Sequence, residues 1–284
     1  MSSAVTVHDL AKRYGKVEAL RGVSFEIDEG EIFGLLGPNG AGKTTTVEIL
    51  EGYRARDGGT VEVLGIDPAR AGRKWRQRIG VVLQSSSMYQ TLTVAESLAL
   101  FAGYYERPRR VDEVVELVGL EQKRDATVRT LSGGQKRRLD LGLALVGDPE
   151  LVFLDEPTTG FDPQARRRAW ESILSLRSLG KTILLTTHYL DEAERLCDRV
   201  GVLRDGEIVA LGRPGELTGA LPPTEIRYRR DGQEVVLRTE EPTRVLHELT
   251  AEALNAGREL EALEVRRPSL EEVYLSLTQE EAER

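Results

Sequence analysis

Glu31-Ile32-Phe33-Gly34-Leu35-Leu36-Gly37-Pro38-Asn39-Gly40-Ala41-Gly42-Lys43-Thr44 decides the fold of this chain. The compact apolar run at 31–36 predicts a buried strand, residues 37–42 a loop, and residues 43–50 a helix. Strand, glycine loop and helix in that order build a cradle for a nucleoside triphosphate. Glycines let the backbone approach phosphate and turn its N–H groups inward. The helix that follows points its positive end at the same place. In this pattern Lys43 reaches the β- and γ-phosphates, and the Thr44 hydroxyl ligates Mg²⁺. The expected fold class is therefore α/β, of the P-loop NTPase kind.

A second apolar run, Leu151-Val152-Phe153-Leu154, ends in Asp155 and Glu156. Sites in open α/β sheets lie at the carboxyl ends of strands. Asp155 there suits the Mg²⁺ shell, and Glu156 suits polarisation of an attacking water. A third β-prone run at 182–186 leads to His188, whose imidazole could face the γ-phosphate. Gln84 ends the strand expected at 79–83, where an amide can sense Mg²⁺ or water. Tyr14, before Gly15, can stack on a base or sit partly buried.

Leu131-Ser132-Gly133-Gly134-Gln135 forms a second glycine turn. Ser132 suits the N-cap of a helix carrying Leu139, Leu143 and Val146 on its apolar face. Helical periodicity also spans residues 93–118, broken at Pro108, so residues 85–149 look like a helical insertion between strands. The N-terminal residues 4–67 favour short strands and turns. Asp205-Gly206 marks a hairpin.

At 284 residues the chain has room for about two domains. A net charge of −8 argues against a sequence-independent grip on nucleic acid, so none is expected. The single cysteine, Cys197, suits a reducing compartment and a small buried role. The first ten residues have no signal-peptide pattern. No apolar stretch approaches the ~20 residues needed to span a bilayer. A role at a membrane would need a spanning partner.

Tyr14, the loop 37–44, Gln84, Leu131 to Gln135, Leu151 to Glu156 and His188 occur in one order that resembles the nucleotide-binding subunit of ATP-binding cassette (ABC) transporters. The resemblance covers residues 4–219. It implies a RecA-like core sheet, an N-terminal antiparallel β subdomain and a helical subdomain at about 85–149. It implies ATP and Mg²⁺ as ligands, with Gly37, Pro38, Asn39, Gly40, Ala41, Gly42, Lys43 and Thr44 on the phosphates and Thr45 supporting them. Tyr14 would stack on adenine, and Gln84 would couple the site to a membrane partner. Ser132, Gly133, Gly134 and Gln135 would bind the γ-phosphate held by a second subunit, and Asp162 would lie in the loop that communicates across the dimer. The segment Thr159-Gly160-Phe161-Asp162 departs from the family, which usually has Leu where Phe161 stands.

Beyond residue 219 the pattern changes. Leu221-Pro222-Pro223 looks like a linker, and residues 220–284 alternate strands and helices, enough for a small α/β accessory or regulatory domain. Ser269 and Glu272 predict a capping box for a final helix. Residues 267–274 are similar to the tails of daunorubicin-resistance-type exporter ATPases. The combined expectation is a cytoplasmic ATPase subunit, peripheral at the inner membrane face. It would work as a dimer on a separate integral membrane permease that exports drugs, lipids or other small molecules. The alternatives are an importer ATPase and a cassette ATPase acting on ribosomes or DNA. Proteins of that last kind usually carry two cassettes or a long coiled coil, and this chain shows neither.

Overall fold

The structure is a computed structural model that describes residues 2–82, 88–219, 224–230 and 233–266. Contacts divide the chain into two compact units, Met1–Gly212 and Arg213–Arg284.

In the first unit, β1 (Ser3–Tyr14) and β2 (Val17–Asp28) pair antiparallel around Gly15, which sits at φ +60°. Val5, Val7 and Leu10 point inward. The sequence predicts strand only at 4–7 and 23–27 in this region. The outer half of the hairpin is longer because backbone pairing continues through exposed residues such as Arg13 and Glu18, which carry no apolar period. β3 (Ile32–Leu36) is buried throughout and leads through the glycine loop into α1 (Lys43–Leu50). β4 (Gly58–Val63) closes the antiparallel sheet in the order β2-β1-β4. α2 (Arg73–Arg76) and β5 (Ile79–Val82) follow.

The helical insertion holds α3 (Val94–Ala102), α4 (Val111–Leu117) and α5 (Gly133–Leu145). Thr93 and Glu96 form a capping box on α3; Ser132 and Gln135 form another on α5. The chain then returns to the core as β6 (Leu151–Asp155), α6 (Pro163–Ser178), β7 (Thr182–Thr187), α7 (Leu190–Leu196), β8 (Arg199–Arg204) and β9 (Glu207–Gly212).

The core sheet runs β5-β6-β7-β3-β8-β9, parallel except for β9. β3, β6 and β7 are buried along their whole length, as parallel strands covered on both faces must be. Phe25 of β2 stacks on Phe33 of β3 at 5.1 Å, so the two sheets share one core. Behind β3, the Cys197 thiol fills the space that a Gly34 Cβ would need, 2.6 Å from that position. Burial pushes this thiol well above its usual range.

The second unit contains α8 (Pro214–Gly219), β10 (Thr224–Arg230), β11 (Gln233–Thr239), α9 (Pro242–Asn255) and β12 (Glu261–Arg266). Its sheet is antiparallel in the order β11-β10-β12, with Ile226, Tyr228 and Ala253 buried. The expected linker at 221–223, the capping box of Ser269 and Glu272 and the tail 267–274 lie outside the described residues. Among the described residues, no helix is long and apolar enough to cross a membrane.

Candidate nucleotide site

The sheet order brings the carboxyl ends of β3, β7 and β6 side by side. Leu36 is level with Thr187, and Asp155 with Thr186. Three segments far apart in sequence therefore converge: the loop after β3, Asp155 and Glu156 after β6, and His188 after β7.

The loop is shaped by backbone crowding. Gly40 and Gly42 adopt φ +84° and +107°, which L side chains rarely tolerate. A Cβ on Gly42 would also lie 2.7 Å from both the Ala19 carbonyl and the Leu20 side chain, and one on Gly37 would collide with the Leu203 carbonyl. Pro38 and Asn39 complete the turn, and Ala41 is buried beneath it. Lys43 lies buried at the start of α1. Its Nζ donates to the Gly37 and Pro38 carbonyls at 2.8 and 3.1 Å and stands 3.6 Å from Glu156 Oε1. Burial draws Lys43 below the usual lysine range, opposed by Glu156 and Asp155. Thr44 is exposed on the first turn of α1, and Thr45 is half-buried beside it.

Glu156 carries a strained backbone, φ +44° on a residue with a side chain. Its N–H donates to Thr186 Oγ1 at 3.0 Å, and the same hydroxyl donates to Asp155 Oδ1 at 2.6 Å. Its carboxyl meets His188 Nδ1 at 3.3 Å and accepts from Thr159 Oγ1 at 3.1 Å. Burial raises the Glu156 pKa. His188, Lys43 and Thr159 outweigh that effect and hold the carboxyl below its usual range. An imidazole and an ammonium thus both lie within hydrogen-bonding or ion-pair reach of one carboxylate beside the loop.

The hydroxyl of Thr44 and the carboxyl of Asp155 are hard oxygen donors, a set that fits Mg²⁺ completed by phosphate and water. Gln84 lies outside the described residues. Tyr14 is 40 % exposed, with the Arg54 guanidinium 5.2 Å and the Lys12 ammonium 5.6 Å from its ring centre. Asp162 caps α6 by accepting from the Gln164 and Ala165 N–H groups, and Phe161 beside it does not disturb that cap.

Ser132, Gly133, Gly134 and Gln135 stand at the head of α5. Gln135 N–H donates to Ser132 Oγ at 3.3 Å, and Ser132 N–H to Gln135 Oε1 at 2.9 Å. With Glu156, Pro157, residues 159–162 and α6 as far as Ile173 they line a cleft of about 720 Å³, and no residue of the loop 37–45 lines it.

Residues 20–159 match the family described as ABC transporter, and residues 213–269 match an ABC transporter domain-containing protein-like C-terminal domain. The chain is 46% identical over 218 residues to a Nod factor export ATP-binding protein I of Ralstonia nicotianae, covering 75% of this chain and 68% of that one. It belongs to the ABC transporter family. A second Nod factor export ATP-binding protein I, from Rhizobium sp. (strain N33), is 41% identical and covers 99% of each chain.

Among solved structures, an ATP-binding subunit of an ABC transporter matches with TM-score 0.72 at 26% identity, over 97% of this ABC ATPase and all of that chain. cbiO1 from Clostridium perfringens, part of the ABC transporter complex cbiONQ, matches with TM-score 0.71 at 30% identity, over 77% and 92%. The chain is an ATP-binding subunit of an ABC transporter, and its enzymatic activity is ATP hydrolysis.

Sequence reasoning missed several residues around the site of this ABC ATPase. Thr186 bonds both carboxylate residues, and only its polarity in an apolar strand marks it. Arg137 of α5 donates to the Asp155 and Pro157 carbonyls, each at 3.1 Å, and Glu192 of α7 bonds Thr158. No local pattern marks either.

Glu51, at the end of α1, is a further titrating group. Burial, with the fields of Asp155 and Glu48, pushes its carboxyl up to about 8. A raised acid pKa means the folded chain keeps a proton that the unfolded chain loses. The stabilisation is complete below the unfolded value of 4.5 and is lost as pH rises toward about 8. Glu51→Gln is therefore expected to stabilise the nucleotide-free protein by about 1–3 kcal/mol near pH 8 and negligibly near pH 4. Denaturant melts at the two pH values check this.

Proposed function

We propose that the chain powers an exporter as one of two ATPase subunits attached to separate membrane subunits at the inner face of the cell membrane. Each ATP is held by residues 37–45 of one subunit and closed over by Ser132 to Gln135 of the other. The observation that carries this reading is the separation of the two glycine motifs within one chain. The cleft lined by Ser132 to Gln135 holds no phosphate-loop residue, although Glu156, 3.6 Å from Lys43, borders it; in this reading the turn of a second copy meets the ATP on Lys43. A solved relative supports it: a cassette described as the dimeric post-hydrolysis state bound to ADP and Pi, with TM-score 0.66 at 26% identity.

In this reading the loop N–H groups, Lys43 and Thr45 bind and orient the phosphates, and Tyr14 stacks on adenine. Thr44 and Asp155, with Gln84, would hold Mg²⁺, which neutralises charge on the phosphates when bound. Glu156 takes the proton of the attacking water. The His188 ring, 3.3 Å away, steadies Glu156 and faces the γ-phosphate. Asp162, at the head of α6, faces the partner subunit. ATP bridging two surfaces favours the closed dimer; hydrolysis removes the bridge. Residues 1–219 form the ATPase domain, and 220–284 a small accessory or regulatory domain. The segment with Met88 and Tyr89, which is 62% exposed, is the candidate contact for the permease.

The export direction rests on the relatives named for Nod factor export and on the tail 267–274. Drugs, lipids or other small molecules are the expected cargo class. Affinity purification from detergent-solubilised membranes is expected to recover a polytopic membrane protein with this chain. Recovery of ribosomes or DNA in its place overturns the transport reading. ATP-driven accumulation inside inverted vesicles is the expected sign of export, and release from preloaded ones contradicts it.

A further inference from the structure

Four residues beyond His188, on the first turn of α7, Glu192 is 1% exposed. Burying a carboxyl is costly unless polar partners compensate, and an apolar residue would seal α7 against α6 without that cost. Its Oε1 accepts from Thr158 Oγ1 at 2.8 Å and from Trp170 Nε1 at 2.9 Å. Thr158 is fully buried, two residues after Glu156, and Trp170 lies on α6, the helix headed by Asp162. One oxygen thus joins the loop after β6, α6 and the helix that follows His188. The other oxygen has no hydrogen-bond partner among the described residues. At the surface the same helices are tied again. Arg166 of α6 reaches Asp191 at 3.3 Å and lies 4.4 Å from the centre of the Tyr189 ring.

The strain at Glu156 gives this junction a purpose. A side-chain-bearing residue at φ +44° relaxes unless its neighbours hold it. Thr186 pins the Glu156 N–H, and Glu192, through Thr158, pins the chain just beyond. We propose that Glu192 is a positioning residue for hydrolysis, holding the strained Glu156 at its contact with His188 through the Thr158 hydroxyl. The inference rests on the catalytic reading of Glu156. Glu192 touches neither nucleotide nor water; it acts on where the carboxylate sits. ATP binding, made by the loop after β3, does not depend on it.

Steady-state ATP hydrolysis and nucleotide affinity of the full chain test this, with Glu156→Gln measured alongside. Thr158→Val keeps the volume and removes only the hydroxyl. It is expected to lower kcat by roughly tenfold or more, with KM and nucleotide affinity within about twofold of wild type. Glu192→Gln keeps an acceptor for Thr158 and Trp170 and restores most of the turnover lost in Glu192→Met. If Glu192→Met fails to fold, Thr158→Val still decides. Turnover in Thr158→Val within about twofold of wild type, while Glu156→Gln is inactive, overturns the role of Glu192 alone. Full turnover in Glu156→Gln overturns the catalytic reading and the Glu192 role with it.

Discussion

Glu156→Gln is expected to bind ATP as wild type does and to hydrolyse it at least about a hundredfold more slowly. The amide is nearly the same size as the carboxyl and can still meet His188 and Thr159, so the loop keeps its shape. What it loses is the capacity to take a proton. The ionised form is the one the site favours, because His188, Lys43 and Thr159 outweigh burial at this position. With binding intact and hydrolysis blocked, ATP stays between the two subunits and the closed dimer accumulates. Size-exclusion chromatography with ATP should show a dimer for Glu156→Gln and mostly monomer for wild type after turnover. Wild-type turnover without a trapped dimer removes Glu156 from the mechanism.

The second large effect is expected at Ser132. Ser132→Arg should abolish hydrolysis while a single chain still binds nucleotide. Ser132 is exposed at the head of α5, and its hydroxyl caps the helix through a long 3.3 Å bond. Losing that cap costs about 1 kcal/mol. α5 keeps its buried side, with Leu139, Leu141, Ala144 and Leu145 in the core. The fold is therefore expected to survive, with the damage confined to the surface proposed to receive the partner's phosphate. Titration of a fluorescent ATP analogue against dilute monomer measures the binding. Loss of binding there would place Ser132 in the same site as Lys43.

Much of this site is legible in the sequence because its parts are local. The run at 31–44 carries strand, turn and helix within fourteen residues, and Asp155 and Glu156 end a strand too apolar to be anything but buried. Ser132 and Gln135 signal a helix start at fixed spacing, and the structure forms both bonds of that box. The supports around Glu156 are different. Thr186 lies 31 residues from Asp155 in sequence, and Glu192 lies 34 from Thr158. Their roles follow from β6 and β7 being neighbours and from α7 packing beside α6, and no local pattern encodes either. The hairpin of β1 and β2 extends past its apolar residues for a related reason. Its outer half is held by backbone pairing between exposed residues, which leaves no apolar rhythm.

In the proposed dimer each ATP needs the loop of one chain and the glycine turn of another. Mixing two inactive variants, Lys43→Ala and Ser132→Arg, tests it directly. In a mixed dimer one site combines the intact loop of the Ser132→Arg chain with the intact turn of the Lys43→Ala chain. The predicted result is ATP turnover that neither variant has alone and that peaks near equal amounts of the two. If mixed dimers form and no ratio restores turnover, the two-chain site is contradicted.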